Sequence, residues 1–354
     1  MVTIVFDWGN TLMKVFPEFQ GPMVNWPKVE AMKGVLYALD KLYKNSRLYL
    51  ATNAKESNAI QVRAALARVG LEQYFVDVFT QNEIGFDKSD PDFFDEIRCK
   101  VGPTDIPLMV GDDYFGDIIT SNHAGWNGAW YSLFSKPCPA LTPFHKIEFT
   151  AMEKLPDFLD NLELPSISQS LGWLIGQNAN NNLLLHSQAV ASVSYLLAVW
   201  LRNRGNPIDP VLAHRGGLLH DIAKLKDNDT DDMGIDHALK GSQVLLNAHQ
   251  QRLAEIASSH LISCLKDEER SPKTWEQKIV NYADKLVEGQ MIVTLEERIQ
   301  AICKRYLHHA ERILDSVSGI KRLQSEICDS LNLSAFDLNE NISNAFKGKD
   351  ELTP

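Results

Sequence analysis

Residues 216–224 read Gly-Gly-Leu-Leu-His-Asp-Ile-Ala-Lys, and the reading of this stretch decides the second half of the chain. Apolar residues flank His220 and Asp221 on both sides, which places an imidazole and a carboxylate in an apolar helical setting. Working outward, the same setting recurs at Leu183-Leu184-Leu185-His186, at Asp236-His237-Ala238-Leu239-Lys240-Gly241, at Ile256-Ala257-Ser258-Ser259-His260 and at Ile279-Val280-Asn281-Tyr282-Ala283-Asp284-Lys285-Leu286. Buried helix faces converge on a bundle interior, so residues distant in sequence meet there. His186, His220, Asp221, His237, His260 and Asp284 thus have the order and spacing of a two-metal hydrolase centre. Imidazoles and carboxylates suit manganese, iron, zinc or magnesium, and a pair of such ions activates water while neutralising a phosphoryl group. Any one of these histidines alone reads more readily as a satisfied core residue. The ordered series does not.

The His-Asp-Ile-Ala-Lys run, the His237-xxx-Gly241 spacing and the Tyr-Ala-Asp-Lys segment resemble the HD superfamily of metal-dependent phosphohydrolases over roughly residues 180–290. They look like the branch that includes bacterial hydrolases of dinucleoside polyphosphates. The resemblance implies a helical domain with one or two divalent ions, commonly iron or manganese, with zinc, nickel and cobalt as alternatives. It also implies that His186, His220, Asp221 and Asp284 hold one metal and that His237 and His260 complete a second, with Asp221 bridging. Lys224, one turn from Asp221, would face a substrate phosphate.

The first 150 or so residues carry a different pattern. Thr3-Ile4-Val5-Phe6 reads as a buried strand ending in Asp7-Trp8-Gly9-Asn10-Thr11-Leu12; Leu48-Tyr49-Leu50-Ala51 ends in Thr52-Asn53; Pro107-Leu108-Met109-Val110 ends in Gly111-Asp112-Asp113, with Asp117 following. Helices are expected between them, over Lys28–Leu42 and Ser57–Val69. Strands alternating with helices imply a parallel sheet, and open α/β folds bind ligands at the carboxyl ends of such strands. The polar residues cluster at those ends.

This arrangement resembles the haloacid-dehalogenase (HAD) superfamily over about residues 1–150. The resemblance implies a three-layer, Rossmann-like α/β domain. Asp7 would be the nucleophile, Thr52 would bind phosphoryl oxygens, and Lys88 would neutralise nucleophile and phosphate. Asp7 and Asp112 would hold Mg2+, supported by Asp113 and Asp117, while Asn10, Thr11 and Asn53 are read as substrate-binding. A carboxylate nucleophile needs this help because an anion must attack an anion. The segments after Thr11 and after Thr52 are too lean for a cap domain, so the site is expected to be uncapped. One departure stands out: the position two after the nucleophile, an aspartate in the family's phosphatases, is Gly9. Its general acid would be missing, which leaves open an altered phosphatase or a module that binds without turnover.

With 354 residues and 44% hydrophobic content, the chain accommodates two cores. We expect an HAD-like domain over residues 1–155, a linker at 156–168 punctuated by Pro156 and Pro165, and an all-α HD domain over 169–345. Five scattered cysteines without a Cys-x-x-Cys pair fit reduced thiols. No stretch reads as a signal peptide or a membrane span, so the expectation is a cytoplasmic protein without membrane contact. A net charge of −11 disfavours general attraction to nucleic acid. Arg202, Arg204, Lys224, Lys226, Lys285, Lys304 and Arg305 read either as a basic rim of the second site or as a solvated face. The tail from Leu286 to Leu331 repeats apolar residues at helical spacing (Ile299, Ile302, Tyr306, Ala310, Leu314), expected to pack on its own domain or to form a homodimer seam. The function expected is hydrolysis at two sites: an ester or anhydride of a nucleotide or of an RNA or DNA end at the helical centre, and a phosphomonoester at the α/β centre. The alternative is a helical hydrolase gated by a degenerate phosphoryl-ligand sensor.

Overall fold

The computed structural model describes residues 1–102, 106–133, 135–224 and 237–347. Lys226 lies outside them. The chain divides into two compact units: 1–136 with 144–162, and 137–143 with 163–354. The expected linker at 156–168 is therefore not a free connector. Helical turns run over Met152–Glu163, all but the last residue within the first unit, and a helix of the second already starts at Ile167.

The first unit is built on β1 (Val2–Phe6), α1 (Val35–Leu42), β2 (Ser46–Thr52), α2 (Ala59–Ala67), β3 (Phe75–Thr80), the short α3 (Gln81–Ile84), α4 (Pro91–Val101), β4 (Leu108–Gly111), the short α5 (Thr120–His123), β5 (Asn127–Tyr131) and β6 (Ile147–Phe149). Its six strands run parallel in the order β3-β2-β1-β4-β5-β6. Alternation sends Val5, Tyr49 and Met109 to one face, against Phe93, Phe94 and Ile97 of α4. Ile4, Phe6, Leu48, Leu50 and Val110 go to the other, against Leu39 of α1 and Val62 of α2. Both faces are covered, which is why β1 reads as a continuous apolar run. Chain order reverses between β1 and β4, and such a switch point is where open α/β folds bind ligands, at the strands' carboxyl ends.

Two sequence expectations are corrected here. The helix expected over Lys28–Leu42 starts only at Val35, because Ala31 bridges Met13 and Gly34 takes a φ of 82°, outside the helical range. Asn58 and Gln61 form a capping box that starts α2 at Ala59 rather than Ser57.

The second unit is helical: α6 (Ile167–Gly176), α7 (Asn181–Asn203), α8 (Pro210–Leu219), α9 (His237–Asn247), α10 (Gln251–Ser259), α11 (Trp275–Asp284), a hairpin of β7 (Val287–Glu288) and β8 (Met291–Ile292), α12 (Leu295–Arg305), α13 (Ala310–Leu331) and α14 (Ala335–Lys347). Side-chain caps set the starts: Asn180 for α7, Asp209 followed by Pro210 for α8, Thr274 with Gln277 for α11. Contrary to the sequence reading, α7 is long and apolar enough to cross a membrane by length and composition, with 61% of its apolar window buried. Val190, Val193, Tyr195 and Leu197 are buried along it, as expected of a core helix. The tail packs on its own unit through Ile313, Ile320, Leu323 and Ile327, and Tyr282 accepts from Gln324. The stripe read from the sequence fails beyond α12 because the helix breaks at Tyr306 (φ −118°, ψ 64°), which leaves Leu314 58% exposed.

Candidate metal centres

At the first centre the sheet register does the positioning. Phe6 pairs with Leu50 and Val110, so the residues that follow these strands emerge along one edge. Asp7 follows β1 with its N–H on the Val110 carbonyl (2.8 Å), Thr52 ends β2, and Asp112 follows β4. Asp7, Asp112 and Asp117 bring carboxylate oxygens within 4.8 Å of one another. Lys88, 3% exposed, joins them through ion pairs to Asp7 and to Asp117, the latter at 2.8 Å. Burial opposes a charge on Lys88, but Asp117 and Asp7 outweigh it and hold the ammonium above its ordinary pKa. Burial and the neighbouring Asp7 charge push Asp112 up to about 6. Burial raises Asp117 as well, against the opposing charge of Lys88. Mutually repelling carboxylates of this kind suit a cation.

The remaining expected residues take varied places. Thr11 is buried and donates to Asp112 Oδ1 (3.1 Å); the Asn53 side chain accepts the Lys88 backbone N–H (2.8 Å) and positions that lysine. Thr52 accepts from the Ala54 N–H (3.1 Å), and Asn10, with a φ of 56°, turns its side-chain oxygen to the Val15 N–H (3.3 Å). Asn10 therefore shapes the loop. Asp113 is corrected: it is exposed and caps the turn Tyr114–Ile119 through the Phe115 N–H (3.0 Å), while Asp117 Oδ2 accepts the Asp113 N–H (3.1 Å). The carboxylate that joins the cluster is the one a helical turn later.

At the second centre α7, the end of α10, the start of α9 and the end of α11 each bring one expected ligand residue, and the end of α8 brings two. His186 Nε2 lies 3.0 Å from Asp284 Oδ1, and His220 Nε2 lies 3.3 Å from Asp221 Oδ2 and 3.7 Å from Asp284 Oδ1. Asp221 Oδ1 is 3.3 Å from His237 Nε2 and 3.2 Å from His260 Nε2. All six meet. His186, His220 and Asp284 form one group with metal-holding spacing; His220, Asp221 and His260 form another. His237, whose side chain is 33% exposed, joins neither group and approaches Asp221 and the His260 ring, the ring centroids 5.3 Å apart.

The other ring nitrogens decide what this geometry means. Nδ1 of His186 faces the Gly289 carbonyl (3.0 Å), Nδ1 of His220 the Gly217 carbonyl (2.8 Å) and Nδ1 of His260 the Ala257 carbonyl (2.6 Å). A carbonyl only accepts, so each Nδ1 carries a proton and each ring turns its Nε2 toward a carboxylate, the orientation in which a histidine ligates metal through Nε2. His186 Nε2 meets Asp284 Oδ1 at hydrogen-bond distance, and against its burial the Asp221 and Asp284 charges hold His220 above its ordinary pKa, so these carboxylates favour a positive charge where a divalent cation would sit. In keeping with this, His220 Nε2 and Asp221 Oδ1 are buried without a hydrogen-bond partner among the described residues. Burial pushes His260 down to about 4 despite Asp221, which keeps it in the ligating neutral form. Asp221 stays well below the carboxylate range because Lys224 and His220 outweigh its burial. The donor set fits divalent metal.

Among the cations read as a rim, Lys285 lies inside, 2% exposed, whereas Lys224, expected beside Asp221, pairs with its Oδ2 at 2.7 Å and keeps a side chain 33% exposed. Arg305 pairs with Glu288, which also pairs with Arg298. Arg298, missed altogether, approaches Asp284 Oδ1 at 3.4 Å. Its only sequence signal was a basic residue on the inner face of a tail helix.

The chain has relatives among known proteins. Residues 183–289 match the family model for the HD domain. An uncharacterized protein of Methanocaldococcus jannaschii is 32% identical over 137 residues, 36% of this chain and 78% of that one. A ribonuclease Y of Clostridium tetani is 32% identical over 143 residues, 40% of this chain and 24% of that one. A pyrimidine 5′-nucleotidase of Streptococcus pneumoniae is 33% identical over 106 residues, 29% of this chain and 44% of that one. The chain spans less than half the length of the latter two. A putative HAD-hydrolase of Bacillus subtilis superposes with a TM-score of 0.38 at 16% identity, covering 45% of this chain and 98% of that one. From the parallel sheet with its Asp7, Thr52, Lys88 and Asp112 positions, and from the helical match, the chain joins an HAD-like α/β domain to an HD domain at residues 183–289.

Proposed function

We propose that the chain is a metal-dependent phosphohydrolase with two sites. The HD centre cleaves a phosphoester or phosphoanhydride of a nucleotide or nucleic-acid end, and the HAD-like centre acts on a phosphomonoester. The observation that carries this is the set of imidazole Nε2 atoms aimed at buried carboxylates, with His220 Nε2 and Asp221 Oδ1 without a hydrogen-bond partner among the described residues. Bound divalent ions would supply Lewis acidity, lowering the pKa of a water molecule and offsetting phosphoryl charge.

The chain's own residues do the rest. Asp221 divides its oxygens between the His220–Lys224 side and the His237–His260 side, so it is the residue that would hold an ion on either side. Lys224 and His237, each 33% exposed in the side chain, are the members that a substrate phosphate reaches from solvent. At the HAD-like centre Asp7 attacks phosphorus, the bond to the leaving oxygen breaks, and an aspartyl phosphate forms; Lys88 offsets the negative charge of the approach. Gly9 offers no carboxyl to protonate the leaving group, which favours groups that depart without a proton and costs others about 10²- to 10⁴-fold. The relatives' names, a ribonuclease and a nucleotidase, support phosphorylated nucleosides or RNA as the substrate class.

The test is a panel of nucleoside monophosphates, cyclic and linear dinucleotides and nucleoside polyphosphates, assayed with His220→Ala and Asp7→Asn. We expect His220→Ala to lose the diester or anhydride activity and keep the monoesterase, and Asp7→Asn the reverse. Loss of the same single activity in both, or of none in either, ends the two-site reading.

Gly9 specifically favours a second reading, in which the HAD-like domain binds a phosphorylated ligand without turnover and gates the HD centre. A Cβ at Gly9 would meet only Val15 Cγ2 at 3.1 Å, on a side chain 38% exposed and free to give, so Gly9→Asp is sterically accessible. A compromised phosphatase gains monoesterase activity from that change. A sensor stays flat.

A further inference from the structure

Lys285 follows Asp284 at the end of α11 and is 2% exposed, an expensive place for an ammonium unless its hydrogen bonds are well made. Its Nζ donates to Asp284 Oδ2 at 2.8 Å and to the His260 carbonyl at 2.7 Å. Asp284 Oδ1, the other oxygen, faces His186 Nε2 at 3.0 Å and His220 Nε2 at 3.7 Å. The carboxylate is thus split, one oxygen tied to the protein and the other turned to the imidazoles. The second bond reaches the residue that caps α10 and itself carries a ligand imidazole, whose Nδ1 is held by Ala257. One buried cation therefore joins the two helix ends that deliver His260 and Asp284.

We propose that Lys285 is a positioning residue of the HD metal centre: it fixes Asp284 as a single-oxygen ligand and sets its register against His260. The proposal rests on the phosphohydrolase reading above. Arg298 contributes from α12, beyond the residues matched by the HD family, reaching Asp284 Oδ1 at 3.4 Å while anchored to Glu288. The competing role for Lys285 is electrostatic: a like charge beside a cation weakens binding, and its removal would tighten it. Geometry argues against this, because the ammonium sits on the oxygen that does not face the imidazoles.

The experiment titrates Mn2+ into chelator-stripped full-length protein, following free Mn2+ by electron paramagnetic resonance and bound metal by elemental analysis. Lys285→Met is expected to weaken binding about 10- to 100-fold, the usual cost of losing a group that orients a ligand. In the Mn2+-saturated enzyme kcat should fall with KM little changed. Lys285→Gln, which keeps one donor, should lose less. Wild-type or tighter Mn2+ binding by Lys285→Met overturns the proposal. If circular dichroism shows that variant unfolded, the same outcome in Lys285→Gln overturns it. His220→Ala runs alongside: loss of Mn2+ there with unchanged binding in the Lys285 variants rejects only the positioning role, whereas unchanged binding in His220→Ala rejects the metal centre itself.

Discussion

Main-chain acceptors orient the imidazoles of the helical centre. Carbonyls take the Nδ1 protons of His186, His220 and His260, and that choice turns three Nε2 atoms inward, toward Asp284 and Asp221. The HAD-like centre works the other way, by crowding carboxylates until a cation is needed. Asp112, raised to about 6, makes this measurable. Its folded pKa lies above the unfolded one, so in metal-free protein its contribution to stability is present below the unfolded value and is lost as pH rises through about 6. Mg2+ takes only the carboxylate form, so its affinity must move oppositely. We expect Mg2+ binding by calorimetry at pH 5 to be about tenfold weaker than at pH 7, where the group is ionised, with little change above pH 7. Equal affinity at the two values would mean that Asp112 is not a ligand.

Helix α8 must approach α7 closely for His220 to reach His186, and glycine makes that approach. A Cβ at Gly217 would lie 2.8 Å from Ala191 Cα and 3.0 Å from Ala191 N, backbone atoms that cannot step aside. Gly217→Ala is therefore expected to destabilise by about 1–3 kcal/mol through overpacking, and to disturb metal binding because the Gly217 carbonyl orients His220. Gly172, inside α6, would meet nothing within 4 Å, so Gly172→Ala should stabilise by up to about 1 kcal/mol. Thermal melts of the two variants should shift in opposite directions; a shared direction would refute the packing argument.

For the molecule as a whole, candidate ligands delivered by separate helices would couple metal binding to the fold of the second unit. An ion held at 100 times its Kd adds about 2.7 kcal/mol to the stability of what it binds. Stripping with a chelator should lower the melting transition of the helical unit, and Mn2+ should restore it in wild type but not in Asp221→Ala. A transition indifferent to chelator would show that the six residues meet for structural reasons alone.

Much of this was legible in the chain. Strand ends bearing Asp7, Thr52 and Asp112 follow from alternating apolar runs, and the six residues that meet in the helical unit follow from residue type in apolar context, because both are local patterns with long-range consequences. Residues whose roles depend on a partner elsewhere were not legible. Asp113 and Asp117 are both strand-end acids in sequence, and only the turn geometry makes one a cap and the other a member of the cluster. Lys285 looks like a surface charge beside a ligand, and Arg298 like one more basic residue in a tail. Burial depends on what packs above a side chain. The sequence alone determined which residues could bind phosphate and metal; the tertiary structure decided which cations went inside, because desolvation is imposed by neighbours and is not written in the residue itself.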